Sequence, residues 1–161
     1  PVIAAINGPA IGAGLCLAVG GADARIASPG AKSGVTCTSL GLHPGMAATH
    51  FLPQLVGPQA AADLLLTGRV LGAEEAVTMG LVARNSECAL TGALELAGQI
   101  CEAGPVSVRT LVQTLRRRQE AGLEEAFTIE ATAQSVCYPT SDLAEGVRAL
   151  QEKRSPTFRG E

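Results

Sequence analysis

At 161 residues, 47% of them hydrophobic, the chain is long enough for one globular domain with its own core. Three Phe, one Tyr and no Trp leave that core to Leu, Val, Ile and Ala, so its elements must approach closely through Ala and Gly. A net charge of −3 without a basic stripe interleaved with aromatics argues against a nucleic-acid surface.

Residues 2–6 form an apolar, β-prone run that predicts a buried strand. The breakers Asn7, Gly8 and Pro9 follow, and the pair Gly12 and Gly14 opens a small-residue helix over about 12–20. This order aims free backbone N–H groups at whatever lies beside the turn, a place for an anion or an oxyanion. Residues 1–22 carry no charge, but their five glycines, two prolines and Asn7 fit strand–turn–helix better than a membrane span. The chain starts without Met in what reads as mid-strand, which marks it as a fragment, a processed product or a truncated form.

Strands are predicted at 24–27 and 31–35, a loop at 36–45, and helices at about 46–55 and 59–66 separated by Gly57 and Pro58. Residues 67–69 read as a turn, 73–79 as a short helix stopped by Gly80, and 81–84 as a short strand. From residue 90 the pattern is helical: 90–102, 106–120 with Pro105 in the first turn, 123–137, and 143–153. Asp142 with Glu145 three residues on approximates a capping box, and the last eight residues read as a tail. The chain thus divides into an α/β part, 1–89, and a helical part, 90–161. The apolar faces of the second part must cover the first or another subunit.

Five cysteines, an odd number with no Cys-x-x-Cys spacing, point to free thiols in a reducing compartment, cytoplasmic or mitochondrial matrix, rather than to a zinc site or disulfides. His43 and His50 are seven residues apart, which does not match a zinc-protease motif, and no metal is implied. Arg116, Arg117 and Arg118 read as the wet face of a helix or as a phosphate clamp. A dinucleotide site would need a third glycine where Leu17 stands and an acid about 20 residues on; both are absent.

Several stretches occur in a fixed order. They are Asn7-Gly8-Pro9-Ala10-Ile11-Gly12-Ala13-Gly14, Asp23-Ala24-Arg25-Ile26-Ala27-Ser28, Leu40-Gly41-Leu42-His43-Pro44-Gly45 and Leu65-Leu66-Thr67-Gly68-Arg69. Ala76-Val77-Thr78-Met79-Gly80-Leu81-Val82 and the closing Glu152-Lys153-Arg154-Ser155-Pro156-Thr157-Phe158 complete the series. Together they resemble the enoyl-CoA hydratase/isomerase (crotonase) family, over the C-terminal two-thirds of a usual member. The resemblance implies a ClpP/crotonase-like fold: a partial β-α spiral core followed by a helical trimerisation region. It further implies an acyl-CoA thioester as substrate, no separate cofactor, and a homotrimer or dimer of trimers that binds neither nucleic acid nor membrane.

By the same resemblance, Ala13 is the residue whose backbone N–H donates to the thioester oxygen. Gly12 and Gly14 leave room for the ligand, and Leu40, His43, Pro44 and Gly45 belong to the stretch that frames the pocket. Cys16, counted from Asn7, stands where hydratases carry the first catalytic glutamate; counting back from Asp23 gives Leu17 instead. Cys37 stands at the second glutamate. Hydration needs one group to activate water and one to deliver a proton, which paired carboxylates do. Two readings of the thiols stay open: small buried hydrophobes, or a nucleophile for acyl transfer or thioester hydrolysis. His43 reads as an acid or base near neutral pH, or as a loop residue bonded to backbone. Lys153, Arg154 and Arg159 read as contacts for CoA phosphates or as a solvated tail. The functional alternatives are an acyl-CoA enzyme and an acyl-CoA-binding pseudoenzyme or oligomeric scaffold.

Overall fold

The computed structural model describes residues 1–160. Two small sheets form the α/β part. In the first, β1 (Ile3–Ile6), β3 (Ala24–Ala27) and β6 (Arg84–Asn85) lie parallel in the order β1-β3-β6, with Ile3 opposite Ala24 and Ile26 opposite Arg84. In the second, β2 (Pro9–Ile11) pairs parallel with β4 (Lys32–Gly34), which pairs antiparallel with β5 (Leu71–Gly72). The helix α1 (Ala13–Gly21) leaves β2 and packs on α2 (Ala48–Val56). The helix α2 makes a hairpin with α3 (Pro58–Thr67), and α4 (Ala73–Thr78) follows β5.

The core between these elements is aliphatic and rich in alanine: Leu15, Val19, Leu52, Leu64, Leu71 and Leu81 pack with Ala27, Ala48, Ala61 and Ala76. Small side chains permit the close crossings. A Cβ on Gly20 would lie 2.9 Å from the Phe51 ring, and one on Gly92 would lie 3.1 Å from Ile26. Gly92 belongs to α5 (Ala89–Cys101), which packs against β1 and β3 and whose first N–H donates to Ser28 Oγ at 2.9 Å.

Arg25 on β3 is 7% exposed, yet its guanidinium is satisfied by three carbonyls: Leu81 at 2.8 Å, Ala22 at 2.9 Å and Ala18 at 3.3 Å. Two of these belong to the C-terminal end of α1, where a cation complements the helix dipole. Burial lowers the Arg25 pKa, opposed by Asp23.

Most predicted elements lie where expected, and the differences have local causes. The strand β2 falls on the breaker cluster, because Pro9 stands at the first position of an edge strand, where no ladder N–H is needed. The two-residue β5 was not foreseen. The strand expected at 81–84 is displaced to β6: Leu81 and Val82 are buried, but their N–H groups close the end of α4 on the Ala76 carbonyl. The helix α2 begins at Ala48 rather than at 46, since Met46 and Ala47 both take left-handed φ values of 56° and 57°.

The last three helices are α6 (Pro105–Glu120), α7 (Leu123–Cys137) and α8 (Ser141–Gln151). Thr140, not Asp142, caps α8, accepting the Leu143 N–H at 3.2 Å. Asp142 instead receives the N–H groups of Arg159 and Gly160, and Glu145 binds Arg154, so the tail is tied back onto α8. Arg116 is likewise not simply a wet-face residue: its guanidinium takes Asp23 with two bonds, at 3.0 and 2.7 Å, and Asp23 also accepts the Val2 N–H. Among the described residues no helix is long and apolar enough to cross a membrane.

The helix α8 crosses the 3-10 turn Thr38–Leu40 at Gly146, where an added Cβ would stand 2.5 Å from the Leu40 carbonyl oxygen and 2.7 Å from its carbon. Backbone cannot yield as a flexible side chain would. Gly146→Ala is expected to destabilise by roughly 1–3 kcal/mol, outweighing the gain of about 1 kcal/mol in helix propensity. Urea denaturation checks it, and a net gain in stability would contradict the close crossing.

Candidate functional site

The site is built around the start of α1. Gly12 bonds through its N–H to the Gly34 carbonyl at 2.8 Å, extending the β2–β4 ladder by one residue. It then turns at φ 57° and ψ −121°, a conformation that favours glycine. The first bond of the helix runs from Cys16 N to Gly12 O at 3.1 Å. The N–H groups of Ala13 and Gly14 therefore have no intrahelical acceptor, and both residues are exposed. Gly14 lines a groove of about 550 Å³ along β1, β2 and α1, bordered by Ile6, Asn7, Ala10, Leu17 and Ala18. Leu17 is 65% exposed on this groove, although α1 is apolar all round.

Cys16, one turn further on, points the other way. It is 4% exposed and its Sγ lies 3.7 Å from the Gly45 carbonyl oxygen, as a weak donor. Of the two residues left open in the sequence, Cys16 faces the loop at Gly45 and Leu17 faces the groove. Burial, then the neighbouring Cys37, then Glu130 push its thiol up to about 11. Burial also raises Cys37, which stands at the entrance of the 3-10 turn and takes the N–H groups of Leu40 and Leu42 on its carbonyl. Burial thus holds both thiols toward the neutral form, which makes them poor nucleophiles.

The loop 43–49, whose last two residues already open α2, closes the far side. His43 donates from Nδ1 to the Pro44 carbonyl at 2.6 Å, which fixes the proton on Nδ1 and leaves Nε2 as the acceptor of the neutral ring. Pro44 is buried, and Gly45 lies against the Gln134 amide, which a Cβ would approach to 2.5 Å. Gln134 donates to the His43 carbonyl at 3.0 Å. Leu40 borders a different hollow, of about 400 Å³, with Ile11, Thr36, Leu150 and Pro156. The structure thus brings Cys16, Cys37 and Gly45 together one helical turn behind Gly12, Ala13 and Gly14. His43 is folded onto its own loop, and Leu40 lies against α8.

Glu130 on α7 belongs to this region and was not found from the sequence. It is 2% exposed, and its carboxylate accepts the N–H groups of Ala47 and Thr49 at 2.6 and 2.9 Å and the Thr49 hydroxyl at 2.5 Å. Left-handed backbone at Met46 and Ala47 costs about 1–2 kcal/mol each. Hydrogen bonds to a charged group contribute roughly 1.5–3 kcal/mol each, so Glu130 offsets that strain. The one signal in the sequence is its place, seven residues into an amphipathic helix, among apolar neighbours.

His50 and the tail take structural roles. His50 meets the Gln119 carbonyl at the end of α6, and Arg154 is held by Glu145 and Glu152. Thiol chemistry separates the cysteines. Cys88, exposed before α5, has its pKa lowered by the Thr91 side chain first and then by the Thr91 and Leu90 backbone. Iodoacetamide at neutral pH should modify Cys88 ahead of the other four and leave Cys16 intact until the medium nears pH 11, as read by peptide mass spectrometry. Labelling of Cys16 at pH 7 would contradict its burial.

The chain was compared with known proteins. A family profile described as Enoyl-CoA hydratase/isomerase matches residues 1–161. A crotonyl-CoA hydratase of Syntrophomonas wolfei is 40% identical over 160 residues, covering 98% of this chain and 61% of that protein. The human mitochondrial methylglutaconyl-CoA hydratase is 36% identical over 167 residues, covering 100% of this chain and 49% of that one. The crystal structure of an enoyl-CoA hydratase/isomerase from Pseudoalteromonas atlantica superposes with a TM-score of 0.88 at 34% identity, over 99% of this chain and 64% of that chain. An enoyl-CoA hydratase from Mycobacterium avium subsp. paratuberculosis reaches a TM-score of 0.91 at 27% identity, over 99% and 65%. The chain spans about half to two-thirds of the length of these relatives. With its motifs in order, its family profile matched throughout and its fold shared, the chain belongs to the enoyl-CoA hydratase/isomerase family and has the crotonase fold.

Proposed function

We propose that the chain binds acyl-CoA thioesters with the carbonyl oxygen on the Ala13 N–H, where it stabilises an enolate-like anion. The observation that carries this reading is the exposed start of α1, where backbone donors without intrahelical partners face outward beside small residues. No separate cofactor is required, because a thioester acidifies its own α-carbon and the protein need only hold the resulting charge. Gly12, Gly14, Pro44 and Gly45 serve as the surrounding contacts, Leu40 being set apart against α8, and His43 Nε2 is the available acceptor for a proton. The five free thiols fit a reducing compartment.

A second reading, an impaired or binding-only protein, is favoured by one specific observation. The positions where the family resemblance places two glutamates hold Cys16 and Cys37, and burial raises both thiols. Glu130, the carboxylate in this neighbourhood, has its oxygens occupied by Ala47 and Thr49. Water activation by paired carboxylates has no counterpart among these groups.

The oligomeric reading rests on the last helices. Leu111 and Leu115 on α6 and Phe127, Ile129 and Val136 on α7 are each about half exposed or more, apolar surface of the kind that subunits cover. A homotrimer or dimer of trimers is the expected species in sedimentation; a monomer at micromolar concentration would remove this part of the proposal.

The deciding experiment mixes crotonyl-CoA with stoichiometric chain and follows both binding and the enoyl absorbance. Binding with little or no decay is expected, and Cys16→Glu with Cys37→Glu should raise the decay. Ala13→Pro isolates the donor: proline suits the first helical position and Gly12 has no Cβ to clash with it, so the helix survives while the N–H is lost. Added to the Cys16→Glu, Cys37→Glu chain, it should slow the enoyl decay by about a hundredfold or more. An unchanged decay rate would move the oxyanion site elsewhere.

A further inference from the structure

Every protein contact of the Glu130 carboxylate described above ends on the loop 43–49, and Gln134, one helical turn along α7, holds the other end of that loop through the His43 carbonyl. Between these two anchors the Gly45 carbonyl rests against the Cys16 sulfur. The loop itself enters α2 through two left-handed residues, Met46 and Ala47, a conformation that local sequence does not favour and that Glu130 stabilises from outside. Cys16 is in turn one helical turn from Ala13, so a shift of Gly45 is passed to α1 through a packed contact and not through a flexible linker. The nearby titratable groups are His43 on the loop itself, His50 at the start of α2, and Cys16 and Cys37 behind it.

We infer that Glu130 is a positioning residue of the active site: together with Gln134 it clamps the loop 43–49 from α7, and through the Gly45–Cys16 contact it sets where the start of α1 stands relative to a bound thioester. Glu130 touches no substrate in this assignment. It acts by holding His43, Pro44 and Gly45 in place. The inference rests on the acyl-thioester reading for its functional meaning, while the clamp itself is a property of the chain alone.

The test titrates wild-type chain, Glu130→Gln and Gln134→Met with acetoacetyl-CoA, whose enolate form has its own near-ultraviolet absorbance, and records thermal melting in parallel. Glu130→Gln keeps the side-chain volume but presents an amide N–H₂ to backbone donors. It is expected to melt cooperatively while binding the probe roughly tenfold to a hundredfold more weakly, the loss typical of a displaced reacting geometry. The enolate band should fade with it. Gln134→Met is expected to show a smaller loss of the same kind. A cooperatively folded Glu130→Gln chain with wild-type affinity and an intact enolate band would overturn the inference.

Should Glu130→Gln fail to fold, Gln134→Met and Thr49→Val carry the same reading, and wild-type behaviour in both overturns it. Should the wild-type chain not bind acetoacetyl-CoA at all, the acyl-thioester reading fails and the clamp is decided by Cys16. Methyl methanethiosulfonate should then modify Cys16 faster in Glu130→Gln and also in Gln134→Met, which leaves the carboxylate in place and so separates displacement from a charge effect. Equal rates in all three chains would dispose of the clamp.

Discussion

A buried carboxylate at the mouth of α2 holds the helical second half of the chain to the α/β first half where the chemistry is expected. Glu130 reaches from α7 to the N–H groups of Ala47 and Thr49, groups that no turn of α2 itself can satisfy. It thereby makes an unfavourable entry into the helix stable and fixes the preceding loop. Removing it would leave backbone donors unpaired and a strained pair of residues without compensation, with Gln134 alone holding the loop from α7.

The other end of α1 is held in a comparable way. Arg25, buried on β3, fills the carbonyls of Ala18 and Ala22, so a cation sits where the helix dipole is negative. The same guanidinium takes the Leu81 carbonyl and so joins α1, β3 and the turn after α4. With its C-terminal end satisfied and its sides packed through Gly20 on Phe51, α1 is a rigid support whose N-terminal donors remain open. Preorganised donors of this kind stabilise developing charge because they need not reorient when it appears.

The scarcity of bulky aromatics runs through all of this. An aliphatic core filled with alanine requires helices and strands to cross at short range, and glycine marks the crossings: Gly20, Gly92 and Gly146 each face a side chain or backbone that a Cβ would strike. Cys16, buried, and Cys37, half-buried, lie where this small-residue packing meets the loop that precedes α2.

The sequence by itself determined most of the elements and the family. Helix periodicity is local, so α7 was read over 123–137, and β3 over 24–27, as they stand. The motifs around Gly12 and His43 were legible because turns demand particular residues at fixed spacing. Only the tertiary structure decided which way Cys16 points, that Thr140 rather than Asp142 caps α8, that Leu81 and Val82 close a helix instead of pairing as a strand, and that Glu130 lies inside the protein. The first and the last of these depend on partners tens of residues away: 29 separate Cys16 from Gly45, and 83 separate Glu130 from Ala47. A carboxylate on an amphipathic helix looks alike in sequence whether water or a helix terminus receives it, because the choice is made by the geometry of packing and not by the residue's own neighbours.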